Sequence, residues 1–389
     1  MTYIDEMMKE LCPDGVEWKE LGDLEVAKLS RGKVMSKQFL EENKGEFPVY
    51  SSQTANNGEI GKISSFDFDG EYITWTTDGA NAGTVFYRQG KFSITNVCGL
   101  VDIQNDKLLT KFVYYYLTIT TKKYVSSGMG NPKLMSNVMA KIKVPIPPLE
   151  IQQEIVQILD KFTEYVTELT AELTLRQKQY NYFRDYLLNF DNDSSGGANN
   201  KVYTVQWKML GEVARLKNGR DWKSLPSGEV PVYGSGGEMG EFVSDYAYDK
   251  PTVLIPRKGS ISNLFYLDKP FWNVDTIYYT EIDDSQMMPR YFYHYLTTVD
   301  LERLSTNPTR PSLTQAILDK IEIPLPSLAI QSCIVQVLDN FDTVCNDLNI
   351  GLPKEIELRQ KQYEFFRDKL LTFTAEGVYT DSTVQTRPN

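Results

Sequence analysis

Between Ile155 and Phe190 the apolar side chains fall on two interleaved seven-residue series. Leu159, Val166, Leu173, Tyr180 and Leu187 form one, and Ile155, Phe162, Leu169, Phe183 and Phe190 lie on the other. Only Arg176 interrupts this seam, which is the a/d pattern of a coiled-coil helix. A second seam runs through Ile334, Leu338, Phe341, Cys345, Leu348 and Leu352, then resumes at Ile356, Tyr363, Phe366, Leu370 and Phe373. It is four residues longer than the first. Four inserted residues make a stutter that loosens a supercoil, and Gly351-Leu352-Pro353 marks the place for a kink or break. A helix of about 42 residues spans roughly 60 Å at 1.5 Å per residue. One small globule cannot cover that length, so each helix is predicted to partner the other.

Upstream of each helix the pattern changes. Short β-branched and aromatic runs such as Tyr72-Ile73-Thr74-Trp75-Thr76-Thr77 and Val253-Leu254-Ile255 alternate with turns such as Asp78-Gly79 and Lys258-Gly259, as in strands joined by tight loops. The order repeats once along the chain. Leu175-Arg176-Gln177-Lys178-Gln179-Tyr180 returns as Leu358-Arg359-Gln360-Lys361-Gln362-Tyr363, and Phe183-Arg184-Asp185 as Phe366-Arg367-Asp368. Pro145-Ile146-Pro147-Pro148-Leu149-Glu150-Ile151-Gln152 returns as Pro324-Leu325-Pro326-Ser327-Leu328-Ala329-Ile330-Gln331, and Trp18-Lys19-Glu20-Leu21-Gly22 as Trp207-Lys208-Met209-Leu210-Gly211. The predicted fold is α+β: two β-rich α/β globules joined by two long helices in an antiparallel coiled coil, as an internal pseudo-twofold repeat. The expected domains are globules over residues 1–147 and 207–326, helices over 148–190 and 327–373, a linker over 191–206 and a tail over 374–389. Tyr182 and Phe365 fall off the seam near the helix ends, where they either pack on the adjacent globule or meet another subunit.

Composition narrows the function. The chain of 389 residues has no run of 18 apolar residues and an acidic, polar start, so neither a membrane span nor export is expected and the cytoplasm is the expected compartment. Cys12, Cys98, Cys333 and Cys345 form no CxxC pair and the chain has one histidine, which removes zinc fingers and most disulfide frameworks. The sequence also has no phosphate loop, GxSxG elbow, HExxH or glycine-rich nucleotide fingerprint. No catalytic residue, metal or cofactor is expected, and His294, which matches Tyr115 in the other half, reads as a packed core residue.

The net charge of -11 argues against a nucleic-acid partner only on average. Residues 18–146 carry +3 against -4 on residues 1–17, and the second globule carries -3. Polar and basic residues gather in three loops of each half, at matching places. Lys28, Arg31 and Lys33 stand against Lys217, Arg220 and Lys223. The loop with Gln53, Thr54, Asn56 and Asn57 stands against Ser235 and its glycines, and Lys133 against Arg310. These side-chain types pair with base edges or hold phosphates.

Such residues resemble the specificity subunit of Type I restriction-modification systems. The resemblance runs over nearly the whole chain, through Pro13-Asp14-Gly15-Val16-Glu17-Trp18 and the doubled helix starts and helix endings above. It implies two target-recognition domains, each reading one half of a split site in double-stranded DNA, with the helix pair as the ruler between them. It further implies separate methyltransferase subunits, two of them, and restriction subunits where the system has them. On the second globule it requires Lys217, Arg220, Lys223, Arg257, Lys258 and Arg310 to share a face. Two other readings stay open: a fused methyltransferase-nuclease, which the absent motifs disfavour, and a coiled-coil scaffold that binds only protein.

Overall fold

A computed structural model describes residues 3–126, 130–190, 205–305 and 311–373. The expected tail and nearly all of the expected linker lie outside the described residues. The chain forms two compact units, Met1–Glu168 with Glu357–Asn389, and Leu169–Ile356.

In the first unit an amphipathic helix, α1 (Tyr3–Leu11), buries Ile4 and Met8. Strand β1 (Glu17–Glu20) later pairs antiparallel with β8 (Lys143–Ile146). Between them lie β2 (Ala27–Arg31), β3 (Lys44–Tyr50), β4 (Glu59–Ile63), β5 (Phe68–Thr76), β6 (Val85–Ile94) and β7 (Cys98–Ile103). These six make one sheet in the order β2-β7-β5-β6-β3-β4, with a parallel contact where Val49 and Tyr50 meet Ser93 and Ile94. Helix α2 (Thr110–Thr120) packs Phe112 and Val113 into the same core as Trp75 and Val101. Gly99 is obligatory there, because a Cβ would lie 2.3 Å from the Trp75 ring.

Helix α3 (Leu149–Leu188) follows Pro147 and Pro148, whose rings preset the helical turn and end the strand. Ile151, Ile155 and Leu159 enter the first unit's core, as do Leu370 and Leu371 from the chain's last helix. Gln152 is fully buried. Its Oε1 accepts from the Leu109 N–H at 2.9 Å, and its Nε2 donates to the carbonyls of Lys107 (2.7 Å) and Pro147 (2.6 Å).

The second unit repeats this plan. Strand β9 (Gln206–Met209) pairs antiparallel with β17 (Glu322–Leu325). Between them come β10 (Ala214–Asn218), β11 (Ser227–Gly234), β12 (Gly237–Val243), β13 (Thr252–Pro256), β14 (Phe265–Leu267), β15 (Trp272–Asn273) and β16 (Ile277–Ile282). The counterpart of the long β6 is broken here into β14 and β15, because Pro270 between them has no N–H to give the ladder. One six-stranded sheet thus becomes two, β10-β16-β13-β14 and β12-β11-β15, although β11 and β15 keep the parallel contact. Helix α4 (Pro289–Leu296) leads to α5 (Leu328–Asn346) and α6 (Leu352–Leu371). Gln331 repeats the clamp in full: it accepts from the Met288 N–H at 2.8 Å and donates to the carbonyls of Gln286 (2.8 Å) and Pro326 (2.9 Å).

The predicted helix pairing is antiparallel within each unit. In the first, Phe162 stacks on Phe366 with centroids 5.4 Å apart, and Arg359 lies 5.3 Å over Tyr165. In the second, Phe183 stacks on Phe341 at 5.5 Å. The second seam needs one correction. Leu348, assigned to it, is 72% exposed and lies in a turn, because α5 stops at Asn346. Asp347 Oδ1 accepts the N–H groups of Asn349 and Ile350, and a Cβ on buried Gly351 would come 2.5 Å from the Thr343 carbonyl oxygen. The four extra residues leave the helix rather than unwinding it. His294 is buried as expected, and its Nε2 meets Asp339 Oδ1 at 2.7 Å, where the first unit has Tyr115 on Asp160 at 2.6 Å. Burial works to raise the Asp339 pKa, but hydrogen bonds from His294 and Arg290 outweigh it and hold the carboxyl below its ordinary value.

Gln331→Leu strands one N–H and two carbonyls, and a buried unpaired polar group costs about 1 to 3 kcal/mol. The expected outcome is a loss of about 2 to 4 kcal/mol in denaturant unfolding of the second unit. A loss under about 0.5 kcal/mol, the scale of a surface substitution, would show that the clamp does not carry the junction.

Candidate nucleic-acid interface

In the first unit, short backbone hydrogen bonds tie the loops at the strand ends into one rim. Lys33 N–H donates to the Ile94 carbonyl (3.2 Å) and its own carbonyl accepts from Asn96 (3.0 Å). Thr95 N–H donates to the Tyr50 carbonyl (2.9 Å), Thr77 N–H to Val97 (3.3 Å), Gly79 N–H to Pro132 (3.0 Å) and Leu134 N–H to Thr77 (2.9 Å). The second unit repeats five of these six bonds: Arg220 to Asn273 (2.9 Å), Val274 to Tyr233 (3.0 Å), Arg257 to Thr276 (3.0 Å), Gly259 to Pro311 (3.3 Å) and Leu313 to Arg257 (2.9 Å). Gly219 belongs to this frame because a Cβ there would lie 2.2 Å from the Val274 carbonyl oxygen.

The side chains on the two frames differ. Lys33, Thr77, Asp78, Asn96 and Lys133 occupy one, and Arg220, Arg257, Lys258, Asp275 and Ser312 occupy the same places on the other. Loop matching by sequence alone misplaces the basic residues by two or three positions. Strand register aligns Lys28 with Arg215 and Arg31 with Asn218, since these face Asp102 and Gly99 in β7 and Glu281 and Tyr278 in β16. Lys33 therefore corresponds to Arg220 rather than to Lys223.

Of the expected site residues in the first unit, Arg31 is exposed and its Nη2 lies 3.4 Å from Met135 Sδ. Lys33 is paired with Asp67 at 2.6 Å, and Lys133 with Asp78 at 3.6 Å. Gln53 Nε2 donates to the Glu59 carbonyl and Thr54 accepts from Asn81 at 3.2 Å, so both support the 51–58 loop. Asn56 and Asn57 sit at its tip in left-handed backbone, which Asn tolerates better than most residues. Lys28 lies within β2, opposite Asp102.

In the second unit, Arg257 Nη1 donates to Asn218 Oδ1 (2.9 Å) and to the Asp275 carbonyl (3.3 Å), and its guanidinium rests over Tyr278. Lys258 faces Asp275 at 4.0 Å, and Ser235 N–H donates to Thr276 Oγ1 at 3.3 Å. The Arg220 backbone is held by Asn273 and by the Trp272 indole N–H, while its side chain is exposed. Burial and Glu281 raise the Tyr279 pKa against the opposing charge of Arg220. Lys223 is exposed on the following turn. Lys217 stands apart on β10, 3.4 Å from Glu281, so the strand holds it off the rim. Arg310 lies outside the described residues. Exposed ion pairs such as these are worth about 0 to 1 kcal/mol, so a phosphate oxygen can replace the carboxylate at little cost.

Sequence reasoning missed Asn81, Asn96, Asn218 and Asp275 as rim residues. The Asp78-Gly79 and Lys258-Gly259 turns were the available signal, since both stand at the same corner of the frame. No group of His, Cys, Asp and Glu among the described residues could hold a metal ion, and none of their helices is long and apolar enough to cross a membrane.

The Type I restriction modification DNA specificity domain matches residues 13–176 and again 204–358. The chain belongs to that family. It is a DNA specificity subunit, non-catalytic, with two recognition domains. A Mycoplasma pneumoniae protein named as a type I specificity subunit is 31% identical over 351 residues, covering 89% of this chain and 95% of its own. Another from the same organism is 33% identical, covering 81% and 97%. The fold is similar to the crystal structure of a type I S subunit from M. genitalium, with a TM-score of 0.60, 19% identity, and 95% and 97% of the two chains covered.

The specificity subunit's rim cations separate by chemistry. Arg220→Ala is expected to relax base choice at one position, with a loss of about 1 to 3 kcal/mol for the preferred site if the guanidinium forks onto a guanine. Lys33→Ala is expected to weaken binding to all sequences alike and lower the salt slope by about one. Salt titrations of DNA binding by the assembled complex check both, and wild-type behaviour in both would remove these two loops from the interface.

Proposed function

We propose that the chain reads a bipartite DNA site, one globule per half-site, with the rim of each globule facing the bases. Residues 1–147 and 207–326 serve as the two reading domains, 148–190 and 327–373 as the spacer helices, 191–206 as a linker and 374–389 as a tail. The observation that carries this reading is the duplicated hydrogen-bond frame. One scaffold presents two different side-chain sets, as two unlike half-sites need. The cations collected at Arg220, Arg257 and Lys258 answer the second globule's net negative charge, because phosphates respond to local rather than average potential.

Two methyltransferase subunits, and restriction subunits where the system has them, are the proposed partners, in the cytoplasm. The aromatic residues left out of the seam support docking on the helices: Tyr182 is 63% and Phe365 49% exposed. Tyr182 stacks on Tyr186, and Phe365 lies edge-on to Phe366. The patch occurs once in each repeat, so it suits two copies of one partner.

The spacer makes the sharpest test. One heptad inserted into both α3 and its antiparallel partners keeps the seam in phase and lengthens the helices by roughly 10 Å at 1.5 Å per residue. Methylation mapping is expected to return the same two half-sites with a longer gap between them. An unchanged gap from a folded, active complex would show that the helices do not set the spacing.

A further inference from the structure

Arg88 of β6 is 3% exposed, yet it carries a guanidinium. That group lies 3.6 Å over the Tyr50 ring and 4.5 Å from the Phe86 centroid. Nε donates to Thr74 Oγ1 at 3.1 Å and Nη2 to the Asn57 carbonyl at 2.8 Å, while Nη1 is buried with no hydrogen-bond partner among the described residues. None of these partners carries a formal negative charge. Burial lowers the guanidinium's pKa, against the opposing influence of Tyr50. A buried cation so placed is costly compared with an apolar side chain of the same size.

The loop above it explains why the cation is there. Asn56, Asn57 and Gly58 have φ of 50°, 53° and 81° in succession. Side chains rarely adopt that region, and such backbone persists only where its surroundings fix it. Nη2 fixes it from below, and a Cβ on Gly58 would lie 3.1 Å from the same nitrogen.

The second unit supplies the control. Strand register there puts Leu254 in the place of Thr74, Leu267 in that of Arg88 and Tyr233 in that of Tyr50. These three join one apolar cluster. Above them only Ser235 and Gly236 separate the paired Gly234 and Gly237. Where the loop is short, the frame holds without a cation.

We propose that Arg88 is a positioning residue for DNA reading: it locks Asn56 and Asn57 in the left-handed conformation in which the 51–58 loop meets the first half-site. This rests on the reading of that loop as part of the rim. The test uses the full methyltransferase complex and DNA libraries randomised in one half-site at a time. Thr74→Leu/Arg88→Leu copies the second unit, and is expected to keep or raise thermal stability. It is expected to lower discrimination at the first half-site about tenfold and leave the second unchanged. Arg88→Lys, which keeps the charge without the fork, gives the same selective loss should the apolar pair fail to fold. Asn56→Gly/Asn57→Gly tests the loop independently, since it removes the side chains but keeps the backbone permitted. Full discrimination in the folded Arg88 variants, with loss in the Asn variant, overturns the role of Arg88 alone. Full discrimination in all of them overturns the loop reading and the proposal with it. Equal losses at both half-sites mark Arg88 as merely structural and also overturn it.

Discussion

Gln152 and Gln331 carry the constraint on which the rest of the structure depends. Each lies on the first turn of a long helix, out of reach of water, and must satisfy its amide from the globule alone. The partners are the same backbone groups in both units: the N–H at the start of the short aromatic helix, a carbonyl two residues before it and the carbonyl of the proline that ends the preceding strand. A buried polar group left unpaired costs more than its hydrogen bond contributes. The amide therefore tolerates one orientation of globule on helix and penalises the others. The proposed measuring of DNA by the long helices requires the reading surfaces to be fixed to them in this way.

Above that junction the chain separates frame from surface. The frame consists of backbone hydrogen bonds and obligatory small residues, such as Gly219 and Gly99, and it is held by geometry that substitutions at exposed positions do not touch. The rim consists of side chains whose pairings are weak and exchangeable: Lys33 with Asp67, Lys133 with Asp78 and Lys258 with Asp275. Each carboxylate keeps a cation from searching the solvent, and in the proposed interface it would yield that cation to phosphate at small cost. The frame can therefore stay fixed while the rim is retuned for another half-site.

The sequence was most legible where physics is periodic or duplicated. The heptad seam located α3 and its partners because a helix of this length leaves a stripe that only another helix covers. Leu348 misled because heptad counting assumes a continuous helix, whereas Asp347 and Gly351 favour a turn that takes the chain out of register. The strand outline was readable from β-branched runs, and Pro270 held the information that one sheet would split. The rim was legible only in part. Arg31, Lys33 and Arg220 stood out by type, but the contact of Arg257 with Asn218 spans 39 positions and that of Arg31 with Met135 spans 104. Arg88 was the hardest case, since an arginine in a strand reads as a surface residue until Tyr50 and Asn57 are brought over it.

On the proposed reading, the two globules read DNA independently from one frame. Exchanging residues 207–326 for the matching segment of a relative, with both glutamine clamps and both helices kept, tests it most directly through the methylated sites of cells carrying the hybrid. One half of the site is expected to change, while the other half and the gap between them stay as they were. A change in both halves, or a first half-site whose sequence depends on the second globule, would contradict it.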